Sequence, residues 1–229
     1  LSPKPPLAAD LEDLVTGAPA KVLSAQVEGL RRRLARDIGL VMPTVEARVQ
    51  RTLAEGSYQI LLDGAPVASG LAPPNKLMVI PDVDLTLSPE IATPEIEPIF
   101  GLTAFWVPIE LPAEMADIPH TVVTRQQAIV SHLNEVVRRN PGRLLTRQAV
   151  RQMVDLLQSE HPALVEEIDV GVLPLATLHA VLQILLDDGN SIRNLRMLLE
   201  RMTSAQAELV SFEQLLASAR SAVQPLNLS

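Results

Sequence analysis

The sequence predicts an α+β fold: an α/β front half with a small β-rich insertion, then an all-α C-terminal lobe. Three observations lead there. Apolar residues recur at helical spacing from Leu23 to Ile38, and again through nearly all of Thr121 to Arg201. Between these stretches the pattern alternates or runs β-branched. Pro73, Pro74, Pro81, Pro89, Pro94 and Pro98 then forbid a long helix over that segment.

Each element has its own signal. Residues 1–20 are rich in Pro and Ala, and Pro3, Pro5 and Pro6 favour an extended, linker-like backbone. Leu23, Val27, Leu30, Leu34 and Ile38 form a helical stripe that starts near Ser24 and stops at Gly39. Arg31, Arg32, Arg33 and Arg36 ride beside it, as a solvated face or, alternatively, a docking patch. VEARVQ and YQILLDGAPVASG read as strands, and Asp63-Gly64 marks a hairpin turn. LMVI and FGLTAFWVPI supply further strands among the prolines.

The helical part opens at Thr124-x-x-Gln127, a capping-box pattern. Ile129, Leu133 and Val136 give its stripe, and Pro141-Gly142 stops it. Thr146 caps the next helix, which His161-Pro162 ends; a short helix follows over 163–168. Leu175, Leu178, Val181, Leu182, Leu185 and Leu186 form a strong stripe that Asp188-Gly189 breaks. Ser191 is expected to restart helix, and Ser211-x-x-Gln214 to open the last one. Short helices joined by short turns make an all-α lobe.

Composition narrows the function. Hydrophobic residues make up 47%, enough for a packed core, but aromatics only 2%. With a formal charge of −8, the chain lacks both the basic footprint and the stacking platforms that nucleic-acid binding uses. Cysteine is absent, which removes disulfides and thiolate chemistry. No apolar run approaches the roughly 20 residues of a membrane helix. The start LSPKPPLAADLEDL has neither an initiator Met nor a signal-peptide core, so a fragment of a longer protein is expected.

No catalytic pattern emerges. His120, His132, His161 and His179 are scattered and fit no metal-ligand spacing, and no nucleophile elbow or phosphate-binding loop is present. The pairs Asp82/Asp84, Glu166/Glu167 and Asp187/Asp188 are neighbours, not carboxylates facing across a cleft, and read as solvated. The expectation is a non-enzyme with no cofactor and no metal.

Several blocks together resemble the cytoplasmic part of the type III export-gate family, the FHIPEP family. They are RRRLARDIGLVMP (31–43), YQILLDGAPVASG (58–70), PIFGLTAFWVP (98–108), TVVTRQQAIVSHLNEVV, LLTRQAVRQMVDLL, HPALVEEI and VLQILLDDGNSIRNLRMLLE (181–200), in order over about 180 residues. The resemblance implies a docking role at the cytoplasmic face of the bacterial inner membrane, in a flagellar or virulence system. The implied partners are export chaperones with their substrates, components of the ATPase complex, and further copies in a nonameric ring. Contact with the membrane would run only through an N-terminal region that this chain lacks. The implied subdomains are 1–73 with 125–144, an insertion at 74–124, an all-α ring-forming lobe at 145–224, and a tail at 225–229, where a fourth subdomain would begin.

The resemblance also implies sites. A chaperone-binding dimple would use Glu97, where the family often has Asp, with Phe100 and with Ser131 in place of Thr. From the residues alone, Phe100 could equally be core. The helical lobe would supply the ring interface through a charged face of Arg193, Arg196, Glu200 and Arg201. The alternative is a helical adaptor that binds one partner and has no part in secretion.

Overall fold

The computed structural model describes residues 6–110, 115, 118–208 and 210–223, and the expected tail at 225–229 lies outside them. The chain divides into two compact units: Ser2–Leu30 with Thr44–Arg138, and Arg31–Pro43 with Arg139–Ser229.

The first unit holds two four-stranded sheets. One has the order β2-β1-β3-β4. Its strands are β1 (Pro6–Leu7), β2 (Arg48–Val49), β3 (Ser57–Leu62) and β4 (Ala65–Leu71). The β3–β4 hairpin turns at Asp63-Gly64, both at positive φ (55° and 80°). That is the geometry of the two-residue turn whose twist matches antiparallel strands, and glycine adopts it without a Cβ penalty.

Residues 6–14 correct the linker expectation. They form β1 and a 3-10 helix over Ala9–Leu14, and Leu7, Leu11 and Leu14 are buried. Proline had masked the apolar positions Leu7, Leu11 and Leu14, spaced four and three apart, that anchor the segment in the core. The strand expected over VEARVQ shrinks to Arg48–Val49. The first helix, α1 (Gly17–Ile38), starts about two turns before Ser24.

The second sheet is built by the insertion and is wholly antiparallel, in the order β6-β7-β5-β8. Its strands are β5 (Lys76–Pro81), β6 (Thr93–Ile96), β7 (Thr103–Pro108) and β8 (His120–Val123). Pro94 lies in β6, an edge strand, where a missing N–H costs least. One sheet face carries Val79, Phe105 and Val107 against Ala92 and Met115; Trp106, on the alternate side of β7, is fully buried.

Arg125, buried at the start of α2 (Arg125–Arg139), ties down both ends of this insertion. Its guanidinium donates to the Ala72 carbonyl at 2.9 Å and to both oxygens of Asp13.

The second unit is helical: α3 (Pro141–Leu144), α4 (Arg147–Asp155), α5 (Pro162–Asp169), α6 (Leu175–Asp187), α7 (Leu195–Gln206) and α8 (Phe212–Ser221). Its core holds Val150, Val154, Leu178, Val181, Leu185, Leu198, Leu199 and Met202. Among the described residues neither sheet draws on 174–202.

Several chain signals work as written. Thr146 accepts from the Ala149 N–H, and Ser211 and Gln214 form a full capping box. Others are corrected. Pro141-Gly142 both ends α2 and opens α3, because Pro suits a first helical turn. Gly142 also sits hard against α6, where a Cβ would lie 2.6 Å from the Asp187 carboxylate. Asp187 is therefore not simply solvated: it accepts the Gly142 N–H at 2.9 Å. Its neighbour Asp188 pairs with Arg220. Helix α7 is capped by Asn194, not Ser191. The intervening backbone carries Ile192 into the core, with its N–H on the Ile38 carbonyl.

Candidate protein-docking site

The turn between β6 and β7 is built around one buried carboxylate. The Glu97 N–H donates to the Leu102 carbonyl (2.8 Å) and the Gly101 N–H to the Glu97 carbonyl (3.0 Å). The Glu97 side chain then folds back over its own turn. Its two oxygens accept the N–H groups of Ile99 at 2.9 Å and Phe100 at 2.8 Å. Glu97 is 6% exposed, so its carboxylate shapes the turn instead of facing solvent.

Phe100 is the opposite case. Its ring is 77% exposed, so the core alternative for this residue falls. An aromatic ring on a turn fixed by two charge-assisted hydrogen bonds is held outward at little entropic cost.

The third sequence-derived residue, Ser131, is half-buried on α2. A cavity of about 20 Å³ is lined by Glu95, Ile96 and Pro98 from β6 and its turn and by Ala128 and His132 from α2. The structure thus brings the hairpin arm and the Ser131 helix to one cavity. Ser131 does not line it.

Sequence reasoning missed what fills this seam. The Tyr58 hydroxyl hydrogen-bonds His132 Nδ1 at 2.8 Å, with the rings edge to face. Burial, and secondarily the nearby Glu95 carboxylate, push the Tyr58 hydroxyl above the usual tyrosine range. The available signals were faint: Tyr58 is the chain's single tyrosine, and His132 lies on an apolar stripe. His179 is also structural, with Nε2 on the Leu145 carbonyl at 2.7 Å.

In the helical unit, Arg193, Arg196 and Arg201 are exposed and Glu200 is half-exposed. Arg196 and Glu200 pair with each other along α7. Arg193 borders an open groove of about 430 Å³ with Arg36, Met153, Leu156 and Leu195, and Leu156 is 79% exposed. Among the described residues no cluster of His, Asp and Glu could hold a metal ion, and no helix is long and apolar enough to cross a membrane.

The FHIPEP family matches residues 6–226. The chain belongs to the FHIPEP family. FHIPEP relatives include the flagellar biosynthesis protein FlhA of Escherichia coli K12, 33% identical over 181 residues, which is 79% of this chain and 26% of that protein. FlhA of Bacillus subtilis is 33% identical over 174 residues, covering 76% of this chain and 25% of that protein. The chain thus spans about a quarter of the length of these flagellar relatives.

Among solved structures, the Chlamydia pneumoniae CdsV protein aligns with a TM-score of 0.73 at 25% identity, over 97% of this chain and 66% of that one. The nonameric EscV cytosolic domain of a type III secretion system shares the fold, at a TM-score of 0.64 and 16% identity, over 96% of this chain and 63% of that one. The chain is therefore a homologue of type III export-gate proteins, a family of protein transport and flagellum biogenesis that is not a known enzyme family.

Proposed function

We propose that this chain is the docking part of a type III export gate, and that chaperone–substrate complexes bind at the Phe100 turn. The observation that carries the reading is the 77% exposed ring on a turn locked by a buried carboxylate. Interfaces draw most of their energy from such aromatic anchors, with polar groups around them setting orientation. Ser131 would serve as one of those polar groups, and Glu97 as the support beneath the anchor.

The chain would assemble through its helical lobe, as part of a nine-membered ring at the cytoplasmic face of the inner membrane. The nonameric EscV domain shares its fold. The subdomain limits that fit this role are 1–73 with 125–144, 74–124 and 145–224. CdsV has been solved in complex with CdsO, and that likeness, at a TM-score of 0.74 and 25% identity, supports a further partner of that kind from the ATPase complex.

The test is Phe100→Ala. Its affinity for a chaperone–substrate complex should fall by about 2 kcal/mol or more, roughly thirtyfold. Because the ring is exposed, the melting transition, followed by fluorescence of the fully buried Trp106, should stay within about 0.5 kcal/mol of the parent. Unchanged chaperone affinity in a well-folded variant removes the site.

A further inference from the structure

We propose that the turn end of the β6-β7-β5-β8 sheet is a docking surface for a basic, apolar-faced polypeptide segment. The proposal rests on the export-docking reading above and gives the bound partner its chemistry.

The sheet register makes the surface. Lys76 pairs with Pro108 and Val79 with Phe105, so the end of β5 lies beside the start of β7. Ile96 pairs with Thr103 at that same end. The Glu97–Leu102 turn and the chain leaving β5 through Asp82, Val83 and Asp84 are therefore neighbours. Phe100 is joined there by Ile96, 60% exposed, Val83, 53%, and Leu102, 47%. Scattered apolar residues are ordinary on a surface, but four at one end of a four-stranded sheet form a patch.

The charge around that patch has one sign. Residues 74–124 contain one lysine, no arginine and eight acidic residues, a net of −7 in a chain whose total is −8. Asp82 and Asp84, both exposed, lie at this end, whereas Glu90 and Glu110, also exposed, lie at the opposite end of the sheet. The lysine, Lys76, sits at the far end of β5 and donates to Thr93 Oγ1 at 3.0 Å. A partner that covers the apolar residues must approach through an uncompensated negative field. Acidic segments are repelled, and segments carrying Lys or Arg beside apolar side chains are drawn in.

The experiment titrates the chain with a labelled helical peptide that has a leucine face and lysine flanks, and with its glutamate-flanked counterpart. The lysine peptide should bind at least about tenfold more tightly, and weaken as NaCl rises from about 50 to 300 mM, because the screening length falls to less than half over that range. Asp82→Asn with Asp84→Asn should weaken it about three- to tenfold. Phe100→Ala should abolish it. Equal binding of the two peptides overturns the proposal. So does lysine-peptide binding that persists in Phe100→Ala, which is diffuse charge attraction only.

A chaperone–substrate complex separates this proposal from the export reading. If its binding needs Phe100 but ignores salt and both aspartates, the charge chemistry is wrong and export docking stands. If it ignores Phe100 while the lysine peptide still needs Phe100 and the aspartates, export docking is wrong and the surface chemistry stands.

Discussion

At the scale of single residues, the seam beneath the docking turn is held by Tyr58. Its hydroxyl is buried, bonded to His132 and close to Glu95, so its ionised form is disfavoured. The folded state keeps this proton at pH values where the unfolded chain, with an ordinary tyrosine near pKa 10, has lost it. A raised folded pKa contributes stability that is complete below pH 10 and is lost as pH rises beyond it. Since the chain has a single tyrosine, its ultraviolet absorbance reports that titration alone. The native protein should show no tyrosinate near pH 10, and the urea-unfolded chain should titrate there. Tyr58→Phe should cost about 1 kcal/mol at neutral pH, and flatten the alkaline loss of stability. A native tyrosine that titrates at its ordinary value sinks this account.

At the scale of elements, the β6–β7 turn depends on a side chain acting as backbone. Glu97→Ala removes two acceptors from the Ile99 and Phe100 amides. Each loss should cost about 1–3 kcal/mol of local stability. Hydrogen exchange at those two amides should accelerate, and chaperone affinity should fall although Phe100 is unchanged. Unaltered exchange would mean that the turn holds its shape by other contacts. This device was only half legible in the sequence. Family resemblance pointed to Glu97 and Phe100, but not to which of them faces out. The apolar run FGLTAFWVPI, read as one strand, made Phe100 a fair candidate for the core, whereas β7 starts only at Thr103. The deciding contact is a carboxylate reaching amides two and three residues ahead, which no periodic pattern encodes. Features set within one turn of chain were readable instead: the Asp63-Gly64 hairpin and the caps at Thr124, Thr146 and Ser211. Contacts between distant segments were not. Arg125 with Asp13, Gly142 against Asp187, and Tyr58 with His132 each join residues more than 40 positions apart. The run before Asn194 failed for a related reason: Ser191 has the chemistry of a cap, but Ile192 is buried with its N–H on the Ile38 carbonyl, and the backbone there is not helical.

At the scale of the whole molecule, charge is distributed by role. The insertion carries nearly all of the net negative charge, and the remainder of the chain is close to neutral, with Arg196 and Arg201 exposed on α7. Within that helix, Arg196 and Glu200 satisfy one another, so Arg201 and, just before the helix, Arg193 are the exposed charges best placed to reach a neighbouring copy. Rim contacts of this kind contribute on the order of 0–1 kcal/mol each. One such contact cannot hold two subunits together at low concentration, whereas a closed ring repeats it at every junction. The isolated chain should therefore sediment as a monomer at micromolar concentration. Arg193→Glu with Arg201→Glu should leave its melting transition within about 0.5 kcal/mol of the parent, because both side chains are exposed. Placed in the complete export gate in living cells, the same pair should sharply reduce export, since like charge would then meet at each junction. Export that continues undiminished with both arginines reversed would place the ring contact on another face of the helical lobe.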